Sequence, residues 1–191
     1  MFKAALKNQR RTRLKRQGGF SLVELMAVVT ITGILAGLAV VTFRRRVIAA
    51  RGAEAISVMT AIGGAEQSYN AENHVYLNVS TASGGNQWFP LLVPGKAQTS
   101  WAKGATLDVL RWQALAPPIS QLVRFGYLAN AGVAGSILPA LQITNGPDFS
   151  VAQPVDWFVI QARGDTDGDG VFATYVTTSM SGEVYIENQG E

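Results

Sequence analysis

The chain has 191 residues and a formal charge of +3, which is long enough for one folded domain and an additional anchoring segment. It has no cysteine and one histidine, which excludes a disulfide and leaves zinc sites and histidine-based triads with little support. No other set of nucleophile and base stands out, so the sequence predicts a protein that is not an enzyme.

Residues 1–19 form a basic segment with seven lysines and arginines and no acid. The remaining chain has nine basic and thirteen acidic residues, a formal charge of −4, so the positive total is no argument for a nucleic-acid partner. Basic residues beside an apolar segment tend to stay on the cytoplasmic side of a membrane. We therefore predict a cytoplasmic leader at 1–19, with the C-terminal part of the chain exported.

Residues 20–43 form a run of 24 residues in which Glu24 is the only charged side chain. A helix of this length spans about 36 Å, and a bilayer core is about 30 Å thick. The run is predicted to be a transmembrane helix that continues as an amphipathic second half at 44–73, where apolar residues recur every three or four positions. The arginines at 44–46 could contact lipid headgroups, pair with acids of another chain, or face solvent.

Residues 74–191 are predicted to form a globular head domain with a C-terminal antiparallel sheet. A turn-rich connection at 77–120 contains one short helix near 106–115. Strands are predicted at 122–128, 137–144, 157–162, 171–178 and 183–187. Strands that follow one long helix favour an α+β fold in which a small antiparallel sheet packs on the second half of the helix.

Three features meet where the leader joins the apolar run: Gly19, Phe20 and Glu24. Gly19 leaves the backbone unhindered for a protease, and Glu24 is the fifth residue when Phe20 is counted as the first. A carboxylate in an apolar segment costs about 2.5–3.5 kcal/mol at mid-helix and less near an end, so it needs a partner. If the chain is cut after Gly19, the new α-amine of Phe20, on the same or a neighbouring helix, is such a partner and sets axial register.

Two simpler interpretations of the N-terminal segment explain fewer of these features. An ordinary signal peptide has a shorter apolar part, is cut after that part, and rarely has a glutamate at its start. A plain signal-anchor helix explains the length and the charge of the segment, but not the Gly-Phe pair followed by Glu24.

Residues 19–43 resemble the prepilin N-terminal motif of the type IV pilin and pseudopilin family, through Gly-Phe-Ser-Leu-Val-Glu-Leu and the apolar run behind it. The resemblance implies cleavage between Gly19 and Phe20 by a membrane prepilin peptidase, and N-methylation of Phe20. It implies assembly with other pilin subunits into a helical filament by an inner-membrane platform, with Glu24 setting the register. Before assembly, the precursor would lie in lipid of the bacterial inner membrane with its N terminus in the cytoplasm.

The family also implies a function, a structural subunit of a type IV pilus that serves motility and adhesion at the cell surface. Two alternatives stay open: a pseudopilin of a type II secretion system, in a periplasmic pseudopilus, or a minor pilin that acts in binding or pilus initiation. The leader is longer than that of many major pilins, Val40 and Val41 stand where many pilins have a proline, and the usual C-terminal disulfide is impossible.

Residues 164–170, Gly-Asp-Thr-Asp-Gly-Asp-Gly, form an acidic loop between two predicted strands. Asp165, Asp167 and Asp169 alternate as in the first half of a helix–loop–helix calcium site, with Gly170 in sixth place. The twelfth residue is Val176 instead of glutamate, so further ligands would be needed, from side chains elsewhere or from backbone carbonyls. Calcium, which some pseudopilins hold in a similarly located loop, is the one predicted cofactor; a solvated Asp/Gly turn is the alternative.

Overall fold

The computed structural model describes residues 19–80, 88–90, 95, 97–101, 109–120, 122–144, 146 and 151–189. These residues form helix α1 (Leu22–Asn73), strand β1 (Thr99–Ser100), helix α2 (Val109–Leu115) and strands β2 (Leu122–Val123), β3 (Gly126–Gly132), β4 (Trp157–Gly164), β5 (Ala173–Thr178) and β6 (Val184–Glu187). The expected α+β class is confirmed. Apart from Gly19, the predicted leader lies outside the described residues.

Helix α1 is a single helix of 52 residues, which corresponds to about 78 Å at 1.5 Å per residue. Gly63 and Gly64 lie inside it without interrupting it. The helix ends at Asn73 because His74 adopts a left-handed backbone conformation with φ 61°. The N–H of His74 then donates to the carbonyl of Asn70 at 2.8 Å, which closes the last turn.

The chain divides into two compact units, with the boundary between Thr42 and Phe43. In the first unit the described residues are exposed on all sides of α1. The most apolar 18-residue window of α1 has a mean hydropathy of 2.3 and no buried residue. Among the described residues, α1 is the one helix whose length and composition would allow it to cross a membrane.

The second unit contains a four-stranded antiparallel sheet with the strand order β3-β4-β5-β6. Strand β4 lies inside this sheet, where Ile160 is paired with Ala129 of β3 and with Thr177 of β5. Alternate residues of a strand point to opposite faces, and in β4 almost every residue is buried. Both faces of the sheet are therefore covered in this unit.

From Phe43 onward, α1 belongs to the second unit and supplies a large part of its core. Buried residues of α1 recur every three or four positions, which puts them on one side of the helix. They share one cluster with aromatic and apolar side chains of the sheet, namely Ala55, Val58, Met59 and Ile62 of the helix with Tyr127, Phe158, Ile160 and Tyr175 of the strands. The predicted packing of the sheet on the second half of the helix is confirmed.

The strand predicted at 137–144 is wrong, because these residues form an irregular segment. Pro139 has no N–H to donate to a ladder, and the N–H of Gln142 donates to Oε1 of Gln161 at 2.7 Å instead of to a neighbouring strand. The apolar residues of the segment cover the sheet face that α1 leaves open. They belong to a second, smaller buried cluster formed by Leu138, Trp157, Val159 and Val176.

The strand predicted at 122–128 is present but divided into β2 and β3. Between them, Glu54 of α1 takes the place of a ladder partner for Arg124. Its Oε1 accepts the backbone N–H of Arg124 at 2.9 Å and its Oε2 accepts Nη1 at 2.8 Å. Strand β2 pairs with the two-residue strand β1, which is too short to show a pattern in the sequence.

The connection predicted at 77–120 packs tryptophans into the core. Helix α2 confirms the second part of the helix predicted at 106–115; residues 102–108 lie outside the described residues. The ring of Trp112 stacks on Phe89 at a centroid distance of 5.2 Å and meets Trp101 edge-on at 5.2 Å. The rings of Phe89 and Trp112 are buried, so these side chains stabilise the head and present no aromatic platform at the surface.

Candidate functional site

Gly19 and Phe20 lie in non-helical backbone just before α1. The side chain of Phe20 is 82% exposed, and a Cβ added to Gly19 would meet nothing within 4 Å. A peptidase that binds extended backbone could therefore reach the bond between these residues without unwinding the helix. Packing within the described chain does not require glycine at this place, and the roles assigned to the two residues stay predictions.

Ser21 and Glu24 form a reciprocal cap at the N terminus of α1. Oε2 of Glu24 accepts both the backbone N–H and the hydroxyl of Ser21 at 3.0 Å, and Oγ of Ser21 accepts the N–H of Glu24 at 3.2 Å. This is a capping box, which explains why the helix starts at Leu22. Ser21 was not predicted as a capping residue, although the pattern Ser-x-x-Glu was the available signal.

The surface of α1 before Phe43 is apolar on every side, with Glu24 as its one charged side chain. Its large apolar side chains are 54–82% exposed from Phe20 through Phe43. The hydroxyls on this segment donate back to the helix, for example Thr30 to the carbonyl of Met26 at 2.8 Å. Such a surface leaves few polar groups without a partner in lipid or against another apolar helix.

The acidic loop brings together the three carboxylates predicted from the sequence. One oxygen from each of Asp165, Asp167 and Asp169 lies within 4.8 Å of the others. Asp165 is buried, and its two oxygens accept the N–H groups of Gly168 at 2.6 Å and Gly170 at 3.0 Å. Both glycines have a left-handed φ, 86° and 92°, which a residue with a side chain rarely adopts.

The hydrogen bonds of the acidic loop decide the charge state of Asp165. Burial alone raises the pKa of this carboxyl. The backbone N–H donors of Gly168, Gly170 and Asp169, together with Asp167, outweigh burial, and the pKa lies below its usual value. The carboxylate is therefore ionised at neutral pH, as a cation ligand must be.

The loop offers oxygen ligands of the kind that a hard cation such as Ca²⁺ prefers, but only part of a full set. Val176, at the twelfth place of the calcium-loop pattern, is a fully buried core residue of β5. Two other acids of the head have partners elsewhere: Asp156 accepts the N–H of Ala134 at 2.8 Å, and Glu187 accepts that of Thr144 at 2.8 Å. Among the described residues the cluster holds three carboxylates, so water or backbone carbonyls would have to complete it.

Glu66 is a second carboxylate on α1, and it is fully buried. Its Oε2 accepts the N–H of Leu77 at 2.9 Å, whereas Oε1 has no hydrogen-bond partner among the described residues. Burial raises the pKa of Glu66 to about 7, against the lowering effect of the hydrogen bond from Leu77. Glu66 lies at a position of the apolar periodicity of α1, which indicates that its side chain is buried. The spacing does not predict that one carboxylate oxygen lacks a hydrogen-bond partner.

Residues 14–40 match the family model described as the prokaryotic N-terminal methylation motif. The match includes Gly19, Phe20, Ser21 and Glu24 and ends inside the exposed half of α1. Comparisons with curated proteins and with solved structures found no match to the chain. The matched family is a structural motif of pilin-type precursors and not an enzyme family. The long helix packed with an antiparallel sheet is an α+β layout that matches the pilin fold, and residues 14–40 have the N-terminal methylation motif of type IV pilin and pseudopilin precursors.

Proposed function

We propose that the protein is a structural subunit of a type IV pilus, cleaved between Gly19 and Phe20, methylated on Phe20 and assembled into a helical filament. The observation that supports this proposal is the methylation motif at residues 14–40, which leads into the exposed apolar half of α1. An apolar helix without a partner among the described residues of its own chain needs lipid or other helices around it. Lipid surrounds it before assembly, and the helices of neighbouring subunits surround it in the filament.

Cleavage supplies the charge that Glu24 needs. In the precursor the nitrogen of Phe20 is an uncharged amide, whereas hydrolysis of the Gly19–Phe20 bond leaves a carboxylate on the leader and an α-amine on Phe20. The amine can then pair with Glu24 of a neighbouring subunit, so the pair forms after processing and not before it. The bonds from Ser21 keep the carboxylate of Glu24 close to the start of the helix, near the residue that bears the amine.

The partners in this proposal are a prepilin peptidase, an inner-membrane assembly platform and other copies of the chain. The basic leader would stay in the cytoplasm, and the unit from Phe43 onward would be exported. Motility and adhesion are functions of the assembled filament, so the single chain needs no catalytic group for them.

The direct experiment is mass spectrometry of the chain from its own cells, in membranes and in sheared filaments. We expect an N-terminal methyl-phenylalanine at Phe20 and the chain as the dominant component of the filaments. Trace amounts in filaments would favour a minor pilin, and a methylated chain confined to the periplasm would favour a pseudopilin. An intact N terminus at Met1, or a cut after Phe43, would contradict the processing on which all three depend.

We propose further that the acidic loop binds one Ca²⁺ ion through Asp165, Asp167 and Asp169. The convergence of their oxygens within 4.8 Å supports this assignment. The ion would tie the end of β4 to the start of β5 in a head that has no disulfide, and waters or backbone carbonyls would supply the remaining ligands.

A further inference from the structure

A cavity of about 470 Å³ opens in the second unit at the end of the apolar run. One wall belongs to α1 and the other to the loop after β4. Nη1 of Arg51 donates to the carbonyl of Thr166 at 3.1 Å and holds the two walls together. The lining residues are Phe43, Arg44, Val47, Ile48, Arg51, Thr166 and Asp167.

Two guanidinium groups face this cavity from the same side of α1. Arg44 and Arg51 are seven residues apart, which is two helical turns, so their side chains leave the helix in nearly the same direction. A guanidinium has five N–H donors in a planar fork that matches a phosphate group. Arg51 is half-buried and held by Thr166, whereas Arg44 is exposed.

The cavity begins where a lipid headgroup would be found. The hydrocarbon core of a bilayer is about 30 Å thick, and the headgroup regions add about 5–8 Å on each side. Residues 43–48 rise by about 8 Å along the helix axis, directly after the apolar run. If the run spans the core, Phe43 lies at its edge and Arg44 lies at the depth of the phosphates.

We propose that this cavity binds the headgroup of one membrane phospholipid. The phosphate lies between Arg44 and Arg51, and the glycerol backbone packs against Phe43 and Val47. The inference rests on the proposed function for the membrane anchor and adds a specific lipid site to it.

Native mass spectrometry of the full chain in detergent micelles doped with phosphatidylethanolamine tests the site. We expect wild type to retain one lipid, and Arg51→Gln and Arg44→Gln each to lower the apparent affinity about tenfold. Arg46→Gln is the matched control, because it removes the same charge from the same helix but does not line the cavity. We expect this control to stay within twofold of wild type.

A wild-type chain that retains no lipid overturns the proposal, and so does an equal loss in Arg46→Gln, which would mean a diffuse attraction of charge. Tryptophan fluorescence checks that the variants are folded, and Arg44→Gln decides the test if loss of the Arg51–Thr166 bond unfolds the head. Cleavage at Gly19 is scored separately in the same samples, so failure of the lipid site and failure of the pilin assignment are distinguishable.

Discussion

The two halves of α1 have the same backbone conformation but opposite surroundings. Before Phe43 the apolar side chains are exposed on all sides, for example Ile34 at 62%. After Phe43 one face is buried against the sheet, and Ile62 is 0% exposed. An apolar surface on every side of a helix calls for a partner from outside the chain, whereas an apolar stripe on one side indicates the chain's own core.

Two glutamates of this helix, Glu24 and Glu66, differ in the same way. Glu24 is exposed and bonded to Ser21, and we propose that its partner is a charge on another subunit. Glu66 is buried in the head, and the one hydrogen bond described for it comes from Leu77. Substitution of the first should therefore change assembly and leave stability intact, and substitution of the second should do the reverse.

The largest expected effect is at Gly19, before the first half begins. Gly19→Val should block cleavage, because a branched side chain beside the bond hinders the extended backbone that a protease needs. We expect only precursor in membranes and no filaments, as judged by intact-mass spectrometry and electron microscopy. Gly64→Val, in an open place on the second half, is the control and should be processed normally; a normal Phe20 N terminus in Gly19→Val would refute the cleavage assignment.

Glu24→Gln should separate processing from assembly. Glutamine can still accept the bonds from Ser21, so α1 should begin at the same residue, but the charge for the Phe20 amine is lost. We expect normal cleavage, an unchanged melting temperature of the head, and at least a tenfold loss of sheared filaments. Glu72→Gln, an exposed change at the end of α1, should have no effect on any of the three. A wild-type yield of filaments from Glu24→Gln would contradict the proposed role of Glu24 in setting the register.

Much of this contrast is predictable from the sequence, because it rests on periodicity and local motifs. The apolar run, the change of pattern near residue 44 and strands β4 to β6 all follow from spacings of one to four residues. The arrangement of Gly19, Phe20 and Glu24 is also predictable, because these residues lie within six positions of one another. These features need no knowledge of which distant residues meet.

The features that sequence could not predict depend on contacts between distant residues. The segment at 137–144 has the composition of a strand, but its N–H groups bond to side chains of β4 and β6. The strand predicted at 122–128 is divided at Arg124, whose partner Glu54 lies 70 positions away. The cavity lined by Arg51 depends on the bond of Arg51 to Thr166, which lies 115 positions away in the sequence. No short stretch of the sequence contains both residues of any of these pairs, so local patterns do not predict them.

A matched pair of isoleucine substitutions tests the two halves by stability. Ile62→Ala removes a fully buried side chain and should lower the free energy of unfolding by about 2–5 kcal/mol. Ile34→Ala removes an exposed side chain and should leave it unchanged. Urea titration in micelles, followed by tryptophan fluorescence, measures this in the full chain, since all four tryptophans lie beyond residue 43. Equal destabilisation by both would mean that the first half is part of the folding core.

Glu66→Gln should stabilise the head at alkaline pH. The pKa of Glu66 is about 7 in the folded chain, against 4.5 ordinarily, so the folded state holds the proton more tightly. Stability should therefore fall as pH rises from about 5 to 8, with a full cost of about 3 kcal/mol by about pH 8.

The glutamine variant should melt about 6–12 °C higher than wild type at pH 8 and close to it at pH 5. Asp165 does not disturb this window, because its lowered pKa changes stability only below about pH 4. Thermal melts of both proteins across this range are the measurement, with Glu72→Gln as a control that should follow wild type. A wild-type melting temperature that rises from pH 5 to 8 would contradict the assignment to Glu66.

The smallest effect concerns the acidic loop, which contacts the second half of α1 through Arg51 and Thr166. If the loop binds Ca²⁺, free calcium at ten times its dissociation constant should raise the melting temperature of the head by about 3–6 °C, and a chelator should reverse this. Asp169→Asn can still accept the N–H of Val171, bonded at 2.7 Å in wild type, so the turn stays intact while one ligand charge is lost. This variant should lose the calcium response, and Glu183→Gln, an exposed change outside the cluster, should keep it. A wild-type head that melts at one temperature with calcium and with chelator would leave the loop as a turn closed by its own hydrogen bonds.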